Sequence, residues 1–111
     1  MKNQRALIYY GNKKAGVLWN TDDSYIFEYN AEYISDSQSR PISLSFPLEV
    51  KKFQSKTLFP FFEGLLPEGW LLHVTSKALK IDENNKFELL LHVGKDTIGA
   101  VSIIAEENNF K

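Results

Sequence analysis

"LFPFFEGLLPEGW" (residues 58–70) is the stretch on which the fold turns, because the hydrophobic period changes there. Leu58, Phe61, Phe62 and Leu65 recur at helical spacing, and Phe59 and Leu66 make a second apolar stripe beside them. Thr57 is placed to cap this helix. Pro60 falls in its first turn, where a missing N–H is tolerated. Pro67 then opens a second helix, with Glu68 near its positive end and Trp70, Leu71, Val74, Ala78 and Ile81 on an apolar face. That helix is expected to stop near "IDENN" (81–85). Asn85 followed by Glu88 has the form of a capping box, so "KFELLLHVG" (86–94) reads as a third short helix closed by Gly94.

Upstream of the change the chain reads with period two. "RALIYYG" (5–11), "AGVLWN" (15–20) and "YIFEYN" (25–30) are strand-like runs separated by the turn clusters "GNKK" and "NTDD". In the third run Tyr25, Phe27 and Tyr29 share one face, an aromatic ladder. "AEYISDSQSRP" (31–41) is a polar connection with one helical turn at its start. "ISLSF" (42–46) reads as a short alternating strand ended by Pro47, and "LEVKKFQSK" (48–56) as a loop. "TIGAVSIIA" (97–105), apolar and β-branched with Gly99 inside it, reads as a central or bulged strand before the polar tail 106–111. The expectation is an α+β fold over residues 1–111 as a single domain: a small antiparallel sheet, made of the N-terminal meander plus the C-terminal strand, packed with about three short helices.

Bulk composition agrees with one domain. A chain of 111 residues builds a single core that buries roughly two-thirds of its unfolded surface. At 43% hydrophobic and 24% charged it is an ordinary globular composition. Thirteen Lys and Arg stand against fourteen Asp and Glu, so no cationic excess exists to neutralise phosphates, and direct nucleic-acid binding is not expected. The absence of cysteine removes disulfides, thiolate zinc sites and thiol catalysis. The start lacks a signal-peptide core and no transmembrane stretch occurs, which sets the expected location as cytoplasmic, with no membrane partner.

Motifs that would carry catalysis fail on spacing. "GKDT" (94–97) lacks the glycine five positions upstream and the hydroxyl residue after lysine that a phosphate loop needs. No Gly-rich nucleotide loop, H-R-D or D-F-G is present, so the chain alone does not read as a protein kinase. "DENNK" (82–86) places Lys86 where a calcium ligand belongs. His73 and His92 lie on different helices without metal-ligand spacing. Glu63 and Glu68 lack an accompanying base or oxyanion donor, and Ser43 and Ser45 lack an activating partner. No catalytic, cofactor-binding or metal-binding residue is assigned, and no cofactor is expected. The block 58–70 has more apolar surface than one face of a small sheet can cover, which leaves two readings: a helix inside its own core, or one partly covered by another protein.

The ordered succession "PISLSFPL" (41–48), "FFEGLLPEGW" (61–70) and "FELLLHVGKDTIGAV" (87–101) resembles the N-terminal domain of HipA-type Ser/Thr kinases, the toxins of bacterial toxin–antitoxin operons. The resemblance covers essentially the whole chain. HipA-like kinases continue into an ATP-binding core, whereas this sequence ends at Lys111, so none of their catalytic residues carries over. An isolated copy of the domain resembles HipS, the small subunit of tripartite HipBST systems. The resemblance implies an antitoxin or accessory subunit that binds and neutralises a HipT-like Ser/Thr kinase in trans, within a larger complex that includes a HipB-like helix-turn-helix protein. Two alternatives are a non-inhibitory subunit that completes a split kinase and a fragment of a full-length HipA kinase. The partner-binding candidates are Phe61, Phe62, Pro67, Glu68, Gly69 and Trp70, with Phe61 and Phe62 equally eligible as internal core.

Overall fold

The computed structural model describes residues 4–97 and 99–106. Three strands open the chain, β1 (Arg5–Tyr10), β2 (Lys13–Asn20) and β3 (Tyr25–Tyr29), followed by one helical turn, α1 (Ala31–Ser35). A fourth strand, β4 (Lys52–Ser55), precedes three helices: α2 (Pro60–Glu63), α3 (Gly69–Leu79) and α4 (Lys86–Val93). A 3-10 turn (Gly94–Asp96) then leads to β5 (Val101–Ala105). The strands make one antiparallel sheet in the order β4-β3-β2-β1-β5. The α+β expectation holds.

Period-two patterning chooses the buried face. Ala6 and Ile8 of β1, Leu18 of β2, Phe27 and Tyr29 of β3 and Ile103 of β5 are sealed from solvent. On this face the Phe27 ring lies 5.0, 6.1 and 5.6 Å from those of Phe46, Phe53 and Phe62, so the strand positions Phe27 and Phe53 continue through Phe46 into the helical layer. Such offset and edge-on ring contacts add to the burial itself. α4 is the most deeply buried helix, presenting Phe87, Leu89, Leu90 and Leu91. Asn85 caps it as expected, its Oδ1 accepting from the Glu88 N–H at 3.3 Å, while the Asn85 N–H donates to the Asp82 carbonyl at 2.8 Å in place of the Glu88 carboxylate of a full capping box.

Gly16 and Gly94 mark close approaches rather than turns. A Cβ on Gly16 would lie 2.3 Å from the Glu28 carbonyl oxygen, and one on Gly94 2.6 Å from Ile103 Cβ. Gly94 ends α4 in right-handed geometry and the chain runs on into the 3-10 turn, so its small size matters there more than a left-handed cap.

Four local expectations are corrected. Residues 42–46 form a turn, not a strand, because two tyrosines hold this segment by its backbone. The Tyr29 hydroxyl donates to the Phe46 carbonyl at 2.5 Å and accepts from the Ile42 N–H at 3.1 Å, and the Tyr33 hydroxyl donates to the Arg40 carbonyl. Burial pushes the Tyr29 hydroxyl above its usual pKa, which keeps it a neutral donor. Residues 52–55, expected as loop, pair with β3 as an edge strand, with Phe53 covering Phe27. β5 is the opposite edge of the sheet, not a central strand, and begins after Gly99, whose φ of 111° belongs to the approach. α2 has Phe59 rather than Thr57 at its N-cap, with no side-chain capping bond, since Pro60 already occupies the first helical position. Ile98 and the tail beyond Glu106 lie outside the described residues.

Candidate partner-binding surface

The block 58–70 divides between core and surface. Leu58, Phe59, Phe62 and Leu66 are buried, and Phe62 is 0% exposed among Phe27, Phe46, Phe59 and Phe61. Phe62 is therefore a core residue, and the alternative that it reaches a partner is excluded by its neighbours. Phe61 is half-buried with one edge on Phe46 and Phe62. Pro67 is half-buried, and Glu68, Gly69 and Trp70 are exposed.

The break between α2 and α3 sets these orientations. Gly64 closes α2 after a single turn, and the chain crosses Leu65, Leu66 and Pro67 in irregular structure. Glu68 is extended at the N-cap of α3 and Gly69 follows with φ of 57°. That left-handed conformation is ordinary for glycine and disfavoured by 1–2 kcal/mol for other L-residues, on the order of the usual αL penalty. It turns the chain so that Trp70 enters the helix pointing away from the core.

The consequence is an inverted helix. Sequence periodicity identifies the apolar stripe of α3, yet the structure turns much of it outward: Trp70 is 77% exposed, Leu71 54% and Val74 39%. What α3 buries is the sparser stripe of Leu72 and Ser76, continued by Ile81 after the helix. The Ser76 hydroxyl donates to the Ile81 carbonyl, and Lys80, with φ of 59°, ends the helix in left-handed geometry. Leu71 and Val74 join the candidate surface, although an amphipathicity argument assigns them to the interior because it cannot say which stripe finds a neighbour.

Two recesses flank the Leu66–Pro67 ridge. One, of about 360 Å³, lies between Pro60, Gly64, Leu66, Pro67 and Leu72, with Glu63, Glu68 and Lys86 at its rim. The other, of about 430 Å³, runs between Leu65, Pro67, Leu71 and Val93. Lys86 Nζ meets Glu63 Oε2 at 2.9 Å across the first. His73 and His92 stay apart: the former meets Glu83 at 3.2 Å, the latter the Glu88 carbonyl at 3.0 Å. Among the described residues no group of three or more His, Asp or Glu is placed to hold a metal ion. Ser43 and Ser45 hydrogen bond to each other at 3.0 Å. Leu44 between them is 99% exposed at the tip of its turn, a position the alternating pattern had no means to flag. Exposed apolar side chains on α3 beside recesses lined by Leu and Pro, with charged residues among the lining of the first, are the kind of composition found at protein interfaces.

Comparison with known proteins agrees with this architecture. The family model described as the HipA N-terminal domain matches residues 6–104. An uncharacterized protein of Haemophilus influenzae is 44% identical over 92 residues, which is 83% of each chain. The Sinorhizobium fredii protein named "Putative kinase Y4mE" is 36% identical over 81 residues, but these are 73% of this chain and only 19% of that one. Among solved structures, one described as the N-terminal domain of HipA toxin superposes with a TM-score of 0.74 at 38% identity, covering 96% of this chain and 95% of the other. A chain from the Shewanella oneidensis MR-1 complex of HipA, HipB and operator DNA shares the fold, with a TM-score of 0.73 at 23% identity, this domain spanning 24% of its length. The matched family is the N-terminal domain of these proteins and not their kinase catalytic domain, and with residues 6–104 accounted for, the chain belongs to the HipA N-terminal domain family.

Proposed function

We propose that this chain is a HipS-like antitoxin, a subunit of a HipBST-type system that binds a HipT-like Ser/Thr kinase in trans and holds it inactive. The observation that carries the reading is the outward apolar stripe of α3, where Trp70, Leu71 and Val74 lie free beside Pro67 and Glu68. A helix that spends its richest stripe on solvent gives up hydrophobic stabilisation unless another surface covers it. In the longer relatives the same domain is one part of a larger chain, so a covering partner of kinase type is the natural complement. The Haemophilus relative, of nearly matching extent, supports a domain that acts as a separate subunit.

Neutralisation on this reading is a binding equilibrium. The subunit inhibits only to the degree that it prefers the kinase's inactive arrangement over the active one. A stable interface buries on the order of 1,200 Å² or more in total, which the α3 stripe and its flanking recesses would share with further surface, Leu44 included. A HipB-like protein would join through the kinase, since the near balance of thirteen cationic and fourteen anionic side chains gives this chain no phosphate-binding excess. No helix among the described residues is long and apolar enough to cross a membrane, and the proposed site of action is the cytoplasm.

A second reading has its own support. The domain forms only a fifth to a quarter of the Sinorhizobium proteins, which suits a subunit that completes a kinase instead of restraining it. Titrating the purified chain into a HipT-like kinase and following autophosphorylation separates the two. A fall to background at stoichiometric amounts is expected; a rise would replace the antitoxin by the completing subunit.

A further inference from the structure

Beside the outward stripe, the recess between α2 and α3 has a chemistry of its own. Its floor and walls are apolar, formed by Leu66, Leu72, Pro60 and Pro67. Its rim carries three charges, and they are not equivalent. Glu63 and Lys86 neutralise each other at 2.9 Å. Glu68 is exposed, makes no side-chain capping bond to α3, and has no ion-pair partner among the described residues. The recess therefore carries one uncompensated carboxylate. The positive end of α3 opposes it with about half an elementary charge, which leaves the rim net negative.

We infer that this recess accepts a lysine or arginine side chain of the kinase, its aliphatic stem on Leu66, Leu72 and the two prolines and its cation on Glu68. The inference rests on the proposed docking of the kinase at α3 and specifies the chemistry of that contact. Long cationic side chains suit the site because they cover apolar walls along their stems while the charged head stays at the rim. An anion would meet the unpaired Glu68 and the Glu63 beside it. A purely apolar group would fill the floor and leave Glu68 desolvated without a partner, an arrangement that proteins avoid.

The sign of the rim charge makes the test directional. Binding of a HipT-like kinase is measured by calorimetry at 50 mM and 500 mM salt for the native chain and for Glu68→Gln, Glu68→Lys, Lys86→Gln and Trp70→Ala, with circular dichroism confirming that each is folded. At 50 mM salt Glu68→Gln should weaken binding about two- to fivefold, as for an exposed ion pair, and Glu68→Lys about tenfold or more. Lys86→Gln should tighten it, because freeing Glu63 makes the recess more negative. These differences should shrink at 500 mM salt, where the screening length is only about 4 Å. If Trp70→Ala weakens binding while the Glu68 and Lys86 variants stay within twofold of the native chain, docking stands and the cationic occupant is overturned. If Glu68→Lys tightens binding and Lys86→Gln weakens it, the occupant is an anion and the inference is wrong. If no variant changes affinity, Trp70→Ala included, the docking reading fails and takes this inference with it.

Discussion

Replacing Trp70 by alanine should separate binding from folding, and the structure sets both magnitudes. A tryptophan side chain offers on the order of 200 Å². At 77% exposure, about 150 Å² of Trp70 is free to be covered, worth about 4 kcal/mol at 25 cal/mol per Å². Ordering the ring and desolvating the indole N–H offset about half of that, so Trp70→Ala should weaken kinase binding by about 2 kcal/mol, roughly thirtyfold in Kd. The part already covered, about 50 Å², contributes about 1 kcal/mol to stability, and the better helix propensity of alanine returns about half. Calorimetric titration of the kinase and urea unfolding of the free chain measure the two terms side by side. Phe62→Ala provides the contrast: the ring is fully enclosed, and its loss should destabilise the domain by about 3–5 kcal/mol. Unchanged affinity of Trp70→Ala would remove α3 from the interface. A loss of stability comparable with that of Phe62→Ala would mean that the helix does not turn its apolar stripe outward at all.

Other consequences of the fold are open to direct measurement. Gly16→Ala should cost more than about 2 kcal/mol in urea unfolding, since its Cβ would stand 2.3 Å from the Glu28 carbonyl and strands β2 and β3 would have to part; native-like stability would mean that the strands yield there. Tyr29→Phe strips the Ile42 N–H and the Phe46 carbonyl of their shared partner, for a loss of about 1–3 kcal/mol and faster amide exchange at Ile42; an unchanged exchange rate would show that the loop is held by packing alone. Asp36 has its pKa held below the ordinary 3.8, first by the hydrogen bond from Lys13, then by the Gln38 N–H. A depressed carboxylate contributes its stability in full above 3.8 and loses it as pH falls through the folded value, so Lys13→Met should flatten the melting temperature against pH in that acid window. Identical acid profiles for the two chains would show that the pair contributes nothing.

Local sequence determined those features that local chemistry enforces. Alternation in residues 5–29 is enough to fix three strands and their inner face, because side chains at period two share one side of a pleat whatever they pack against. Asn85 and Glu88 start α4, and Pro60 sits in the first position of α2, since capping and the missing proline N–H act within one turn. The three ordered blocks that resemble HipA kinases were legible too, and the family followed from them. Tertiary structure decided what depends on distant partners. The segment 42–46 alternates like a strand but is bent into a turn by the hydroxyls of Tyr29 and Tyr33, residues outside it. Lys52–Ser55, unremarkable alone, becomes a strand because β3 offers an open edge. Phe62 and Trp70 belong to one greasy block and part company across the break between α2 and α3: Phe62 packs inward on Phe27 and Phe46, and the left-handed turn at Gly69 sends Trp70 out. A hydrophobic period gives the angle between stripes on a helix; which stripe meets the core, and which is left for a partner, is settled only when the rest of the chain has packed.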